Sequence, residues 1–195
     1  MQTTKQSGFT LVEVLVSIFV LALGVIGVAG MQLTAMRSGQ QSTNQTVAVQ
    51  LATELADKMR ANAVEMKKGD STAYLFSYNS VADSAPDSVT ACYSGTGCSA
   101  EQMAAYDIYE WKLRLKAQLP GGRAVVCRDS TPFDSSKGTY TWDCTQPAVS
   151  GVNSPMVIKI GWLGKGKNLD GSENTDGKYP PSVALTVEAY SNAQQ

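Results

Sequence analysis

Histidine is missing altogether from the 195 residues. That absence removes Ser-His-Asp and Cys-His catalysis, imidazole general bases and histidine-ligated zinc in one step. Charge is also scarce, at 17% of residues against about 25% in an average soluble domain. Neither sign dominates, since 16 Lys and Arg face 17 Asp and Glu for a net charge of −1. The chain therefore has no basic field to draw in nucleic acid or anionic lipid, and no nucleic-acid partner is expected. Proline is absent before Pro86, all seven residues lying at or beyond it, so a long uninterrupted helix is permitted early. The four cysteines are spaced C-x5-C and C-x16-C, without the C-x2-C knuckles of structural zinc or the C-x-x-C of redox enzymes. No metal site, cofactor or catalytic group is expected.

What is present is concentrated at the start. Residues 9–31 hold only three polar side chains, Thr10, Glu13 and Ser17. As a helix these residues extend ~35 Å, enough to cross a bilayer core of ~30 Å. A secretory signal cut after Gly30 is the other reading of this composition. Glu13 counts against it, because a charge inside a membrane segment costs about 2.5–3.5 kcal/mol on insertion scales and calls for a partner. Gly24, Gly27 and Gly30 interrupt the same run, each costing about 1 kcal/mol against alanine. They fit either a small-residue face for helix packing or a stretch made to loosen.

The stretch Gly8-Phe9-Thr10-Leu11-Val12-Glu13 resembles the leader and processing site of type IV pilins and their pseudopilin relatives. The resemblance implies cleavage after Gly8 by a prepilin peptidase and methylation of the new amine of Phe9. It also implies that Glu13 answers the N-terminal ammonium of a neighbouring subunit and so sets register in the fibre. Residues 1–8 are then the leader, 9–31 the transmembrane and assembly helix, 32–69 an amphipathic helix, and 70–195 a globular domain on the periplasmic side. In the amphipathic part Val47, Leu51, Leu55 and Met59 recur every four residues, with Ala48, Ala52 and Ala56 beside them. The charges there, Glu54, Asp57, Lys58, Arg60 and Glu65, read as a solvated face.

Residues 51–62, and the phrase from Tyr106 to Trp111 leading to Leu119-Pro120-Gly121-Gly122, resemble the PilV-type minor pilins. The partners this implies are other minor pilins, the major pilin, prepilin peptidase, the pilus assembly platform, the inner membrane and a tip-associated adhesin. The function implied is initiation and assembly of pili, with a place near the tip and support of twitching motility and adhesion. A minor pseudopilin of a type II secretion system shares the same signature. A secreted binding domain or enzyme is the alternative of another class.

In the C-terminal part, Ser99 and Gln102 form a capping-box pair ahead of Ala104, Ile108, Trp111, Leu115 and Leu119, which predicts a helix near 100–119. Strands are predicted over 123–128, 139–143, 156–163 and 183–190, while 70–97 reads as an irregular connection. In the third strand Met156, Ile158, Ile160 and Trp162 share one face and Lys159 and Gly161 the other, so a sheet with one face on a helix and one toward water is expected. Helices followed by strands give an α+β class, in agreement with the pilin-like fold that the resemblance implies. In an exported domain Cys92, Cys98, Cys127 and Cys144 read as two disulfides. Three pairings are possible, of which Cys92 with Cys98 and Cys127 with Cys144 is favoured. Residues 168–177 gather oxygen ligands without the spacing of a calcium loop and read as a connection between strands.

Overall fold

The computed structural model describes residues 8–89, 91–93, 97–146, 154–164 and 179–187. The chain divides into two compact units, Met1–Ser42 and Thr43–Gln195.

Helix α1, Leu11–Ala61, runs through 51 residues without a break, as the lack of proline allows. Its part within the first unit is exposed along its whole length. It is the one helix among the described residues that is long and apolar enough to cross a membrane. In the second unit the same helix turns one stripe inward: Ala48, Leu51, Ala52, Leu55, Ala56 and Met59 are buried. The alanines leave room for a close approach while Leu51, Leu55 and Met59 fill the space between helix and sheet, the division of labour that a four-residue repeat predicts. The helical run stops at Ala61, short of Gly69. Asn62 caps a single turn, α2 (Ala63–Met66), and Gly69, at φ +66°, leads into a 3-10 turn over Gly69–Ser71.

Strand β1, Phe76–Asn79, lies in the stretch read as irregular. Helix α3 follows as Ala100–Gln118, and its capping box is formed: the Gln102 N–H donates to Ser99 Oγ at 3.2 Å and the Ser99 N–H donates to Gln102 Oε1 at 2.9 Å. Pro120 cannot continue the helix, and Gly121 turns the chain at φ +60°, where a Cβ would sit 2.3 Å from Leu163 Cδ1. Then come β2 (Arg123–Arg128), β3 (Phe133–Asp134), β4 (Thr139–Tyr140), β5 (Met156–Gly161) and β6 (Val183–Val187). The main sheet is antiparallel in the order β1-β2-β5-β6. This is the α+β, pilin-like arrangement, with four strands as expected but a different membership. β1 is the fourth strand, and β4 pairs with β3 in a hairpin of its own. Residues 188–190 of the last predicted strand, and 168–177, lie outside the described residues.

Register decides which side chains meet. Val126 pairs with Ile158, which pairs with Leu185, while Ala124 pairs with Ile160 and Ile160 with Val183. These residues form one core with the α1 stripe and with Ala104, Ile108, Trp111 and Leu115 of α3. The Trp111 indole N–H donates to the Leu51 carbonyl at 2.8 Å, tying the two helices. Tyr74 and Tyr78 belong to this core as well.

The opposite face does not look to water. All six residues of β5 are buried, because the excursion from Asp129 to Thr145 folds over it. Cys127 is bonded to Cys144, and Arg123 stacks on Trp142 at 4.3 Å from the ring centre. A Cβ at Gly161 would lie 2.9 Å from the Trp142 ring, so a bare backbone is what lets that indole come so close to β5.

Candidate assembly site

Helix α1 opens just past the residues singled out in the sequence. The Glu13 N–H reaches the Thr10 carbonyl at 3.1 Å and Thr10 Oγ1 at 3.4 Å, so Thr10 supplies an acceptor to an otherwise unpaired first-turn donor. Glu13 thus sits in the first helical turn, where the helix dipole favours a negative charge by about 0.3–1 kcal/mol. Ser17 Oγ donates to the Glu13 carbonyl at 2.7 Å and Thr34 Oγ1 to the Gly30 carbonyl at 3.1 Å. Both hydroxyls are satisfied by their own helix, as a bilayer requires. The Glu13 carboxylate differs from them: among the described residues it has no cation within ion-pair distance. Phe9 is 84% exposed and lies four residues before it.

At Gly24, Gly27 and Gly30 an added Cβ would meet nothing within 4 Å. Nothing among the described residues needs them bare. Gly27 and Gly30 line a shallow indentation with Thr34, Ala35 and Ser38 on the helix surface, which leaves both packing against another helix and loosening of this one as reasons for their presence. Glu13 and the three glycines therefore share one exposed helical segment, which Gly8 and Phe9 immediately precede.

The cysteines lie in the other unit. Cys92 is bonded to Cys98 with Cα atoms 5.6 Å apart, and Cys127 to Cys144 at 6.1 Å. The first bridge sits beside the start of α3, where exposed Tyr93 meets Tyr106 edge to face with ring centres 5.8 Å apart. Among the described residues no group of three or more Cys, Asp or Glu side chains is placed to hold a metal.

Three charged groups depart from the solvated role expected of them. Lys58 bridges to Asp107 at 3.0 Å, and the Tyr74 hydroxyl donates to the other oxygen of that carboxylate at 3.1 Å, so α1, α3 and the intervening loop are pinned at one point. Burial raises the Tyr74 phenol well above its ordinary pKa, and the nearby Asp107 carboxylate adds to it. Glu65 is fully buried, accepting from the Ala73 N–H at 2.8 Å and pairing with Lys68 at 2.6 Å. Burial alone would raise its pKa, but the bonds from Lys68 and Ala73 outweigh it and hold the carboxyl below its ordinary value. Lys159, expected on a wet face, is fully buried with its amine 2.5 Å from the equally buried Asp129. A lysine set inside the apolar run from Met156 to Trp162 was the available sign of this.

Comparison with protein families gives two matches that meet end to end. Residues 3–29 match the prokaryotic N-terminal methylation motif, and residues 30–109 match the Tt1218-like family, described as type IV pilin Tt1218. The first covers Gly8, Phe9, Glu13, Gly24 and Gly27, and the second runs from Gly30 into α3. Comparison with curated proteins and with solved structures returns no match.

Proposed function

From the matches to the N-terminal methylation motif and to the Tt1218-like type IV pilin family, we propose that the chain is a type IV pilin, and within that group a minor pilin of the PilV type, acting in the initiation and assembly of type IV pili. In this reading prepilin peptidase removes residues 1–8 and methylates Phe9. The helix then rests in the inner membrane with the Thr43–Gln195 unit on the periplasmic side. It leaves that membrane for the pilus, near the tip, where it meets other minor pilins, the major pilin and a tip-associated adhesin, and so supports twitching motility and adhesion. The assembly platform drives the transfer.

The observation that carries the proposal is the Glu13 carboxylate, which has no ion-pair partner among the described residues and stands on the apolar part of α1 that is exposed up to Ser42. Unpaired in hydrocarbon it costs about 2.5–3.5 kcal/mol, whereas an opposite charge within about 4–6 Å offsets that cost. The methylated ammonium of a neighbouring subunit is such a charge, and only one axial register brings it there. Packing, not catalysis, is the mechanism.

The test is N-terminal sequencing and intact mass of the chain from membranes and from sheared pili, with and without prepilin peptidase. The expected outcome is a chain that begins at N-methylated Phe9, only with the peptidase, and that appears in the pilus fraction in small amounts. A chain beginning at Met31 in the soluble fraction overturns the pilin reading. Processing without recovery in pili, together with a secretion defect on deletion, assigns the chain to a type II secretion system instead.

A further inference from the structure

Lys159 and Asp129 carry more than a buried charge pair requires. Lys159 stands in the middle of β5, opposite Val125 of β2 and Ala184 of β6. Its amine lies 2.5 Å from Asp129 Oδ2, with both side chains at 0% exposure, and it also donates to the Asp143 carbonyl. The other carboxylate oxygen, Oδ1, accepts two backbone N–H groups, from Thr131 at 3.0 Å and from Thr145 at 3.2 Å. One oxygen is thus held by two fixed amide donors while the other faces a nitrogen nucleophile in a site closed to water.

This is the division of labour of an acyl-transfer site. Two N–H donors on Oδ1 are placed to stabilise the negative charge that this oxygen takes up when a nucleophile adds to Cγ. The Asp143 carbonyl orients the amine, and the fixed approach replaces a bimolecular encounter, an effect that reaches about 10⁵–10⁸ M in effective concentration for well-oriented groups. Burial of the ion pair is itself unfavourable, and a neutral product removes that cost.

We propose that Lys159 and Asp129 condense to an intramolecular isopeptide bond, which staples the excursion over the sheet to the centre of β5. The ammonium passes one proton to Oδ2. The amine lone pair then adds to Cγ, the charge on Oδ1 being held by the Thr131 and Thr145 amides. The Cγ–Oδ2 bond breaks as Oδ2 takes a second proton from the nitrogen and leaves as water. One C–N bond forms, one C–O bond breaks, and nothing is oxidised or reduced, so no co-reactant is needed. The step is independent of the assembly reading, since all its groups lie within the Thr43–Gln195 unit.

The test is a tryptic map of the full chain, extracted from membranes in detergent, reduced and alkylated. Trypsin does not cleave after an acylated lysine, so the expected product is segment 129–137 joined to segment 138–165, lighter by one water than the two together. Lys159→Arg keeps the cation but not the nucleophile's geometry, and it should yield the unjoined segments from a chain that still folds. An ordinary peptide ending at Lys159 in the wild-type chain, with segment 129–137 free, overturns the proposal whatever the variants do.

Discussion

Removing the Asp129 side chain strands the Lys159 amine in a site where both groups are sealed from water. An uncompensated buried charge costs about 3–5 kcal/mol, so Asp129→Ala is expected to lower the unfolding midpoint in urea sharply, as followed by circular dichroism. The Glu65 carboxyl makes a prediction in pH. Its folded pKa lies below its ordinary value, so its contribution is full above the unfolded pKa and is lost as pH falls through the folded one. Stability should decline on acidification below the usual carboxylate range, and Glu65→Gln should flatten that part of the profile. The burial of Glu65 was not legible in the sequence, and that of Lys159 only through its place inside an apolar run. Glu65 follows an amphipathic helix whose other charges do face outward, and its burial depends on a chain reversal, 65 to 73, that has no periodic signature. Lys159 alternates correctly with Ile158 and Ile160, and alternation says which face a side chain takes but not what covers that face.

At the scale of elements, α1 and α3 were legible because a repeat of three to four residues, a proline-free run and a capping box all point the same way. Trp111 sits where that repeat placed it, fully buried against α1. Its replacement by alanine is expected to cost about 3–5 kcal/mol, measured by denaturant unfolding. The strands were less legible. β1 has four residues, of which Ser77 and Asn79 are polar and partly or fully exposed at the sheet edge, so its composition is that of a loop. The predicted 139–143 strand is a two-residue arm of a hairpin, because Trp142 and Cys144 are held by Tyr179 and Cys127 rather than by a ladder. The two disulfides should differ in weight. Cys127 and Cys144 are 17 residues apart and Cys92 and Cys98 only 6. Loop-closure entropy then gives about 3 kcal/mol for the longer loop and about 2 for the shorter. Cys127→Ala with Cys144→Ala should therefore lower the midpoint more than the paired change at Cys92 and Cys98.

Over the whole molecule, the residues to which the proposed function gives assembly and those that form the core do not overlap. From Gly8 to Ser42 no described residue is buried, and the core begins at Ala48. Glu13→Gln is accordingly expected to leave the unfolding free energy within about 0.5 kcal/mol of the parent, as surface changes do, while abolishing recovery in sheared pili. Measured side by side, the two readouts separate a fibre defect from a folding defect. The signature around Gly8 was readable because a methylation motif is a run of local sequence. What the Thr43–Gln195 unit binds was not, because recognition depends on which side chains the fold gathers at its surface.

The hairpin β3–β4 stands at the far end of an excursion whose roots are fixed by the Cys127–Cys144 bridge and by Asp129. Its turn is made by Gly138 at φ +67°, with Ser136 and Lys137 exposed. Added residues there enlarge a loop whose closing entropy grows only slowly with length, and the turn residues are not part of the core. The turn is therefore a natural place to graft an epitope or a single reactive cysteine, through which the proposed entry of the chain into a fibre can be looked for under the microscope.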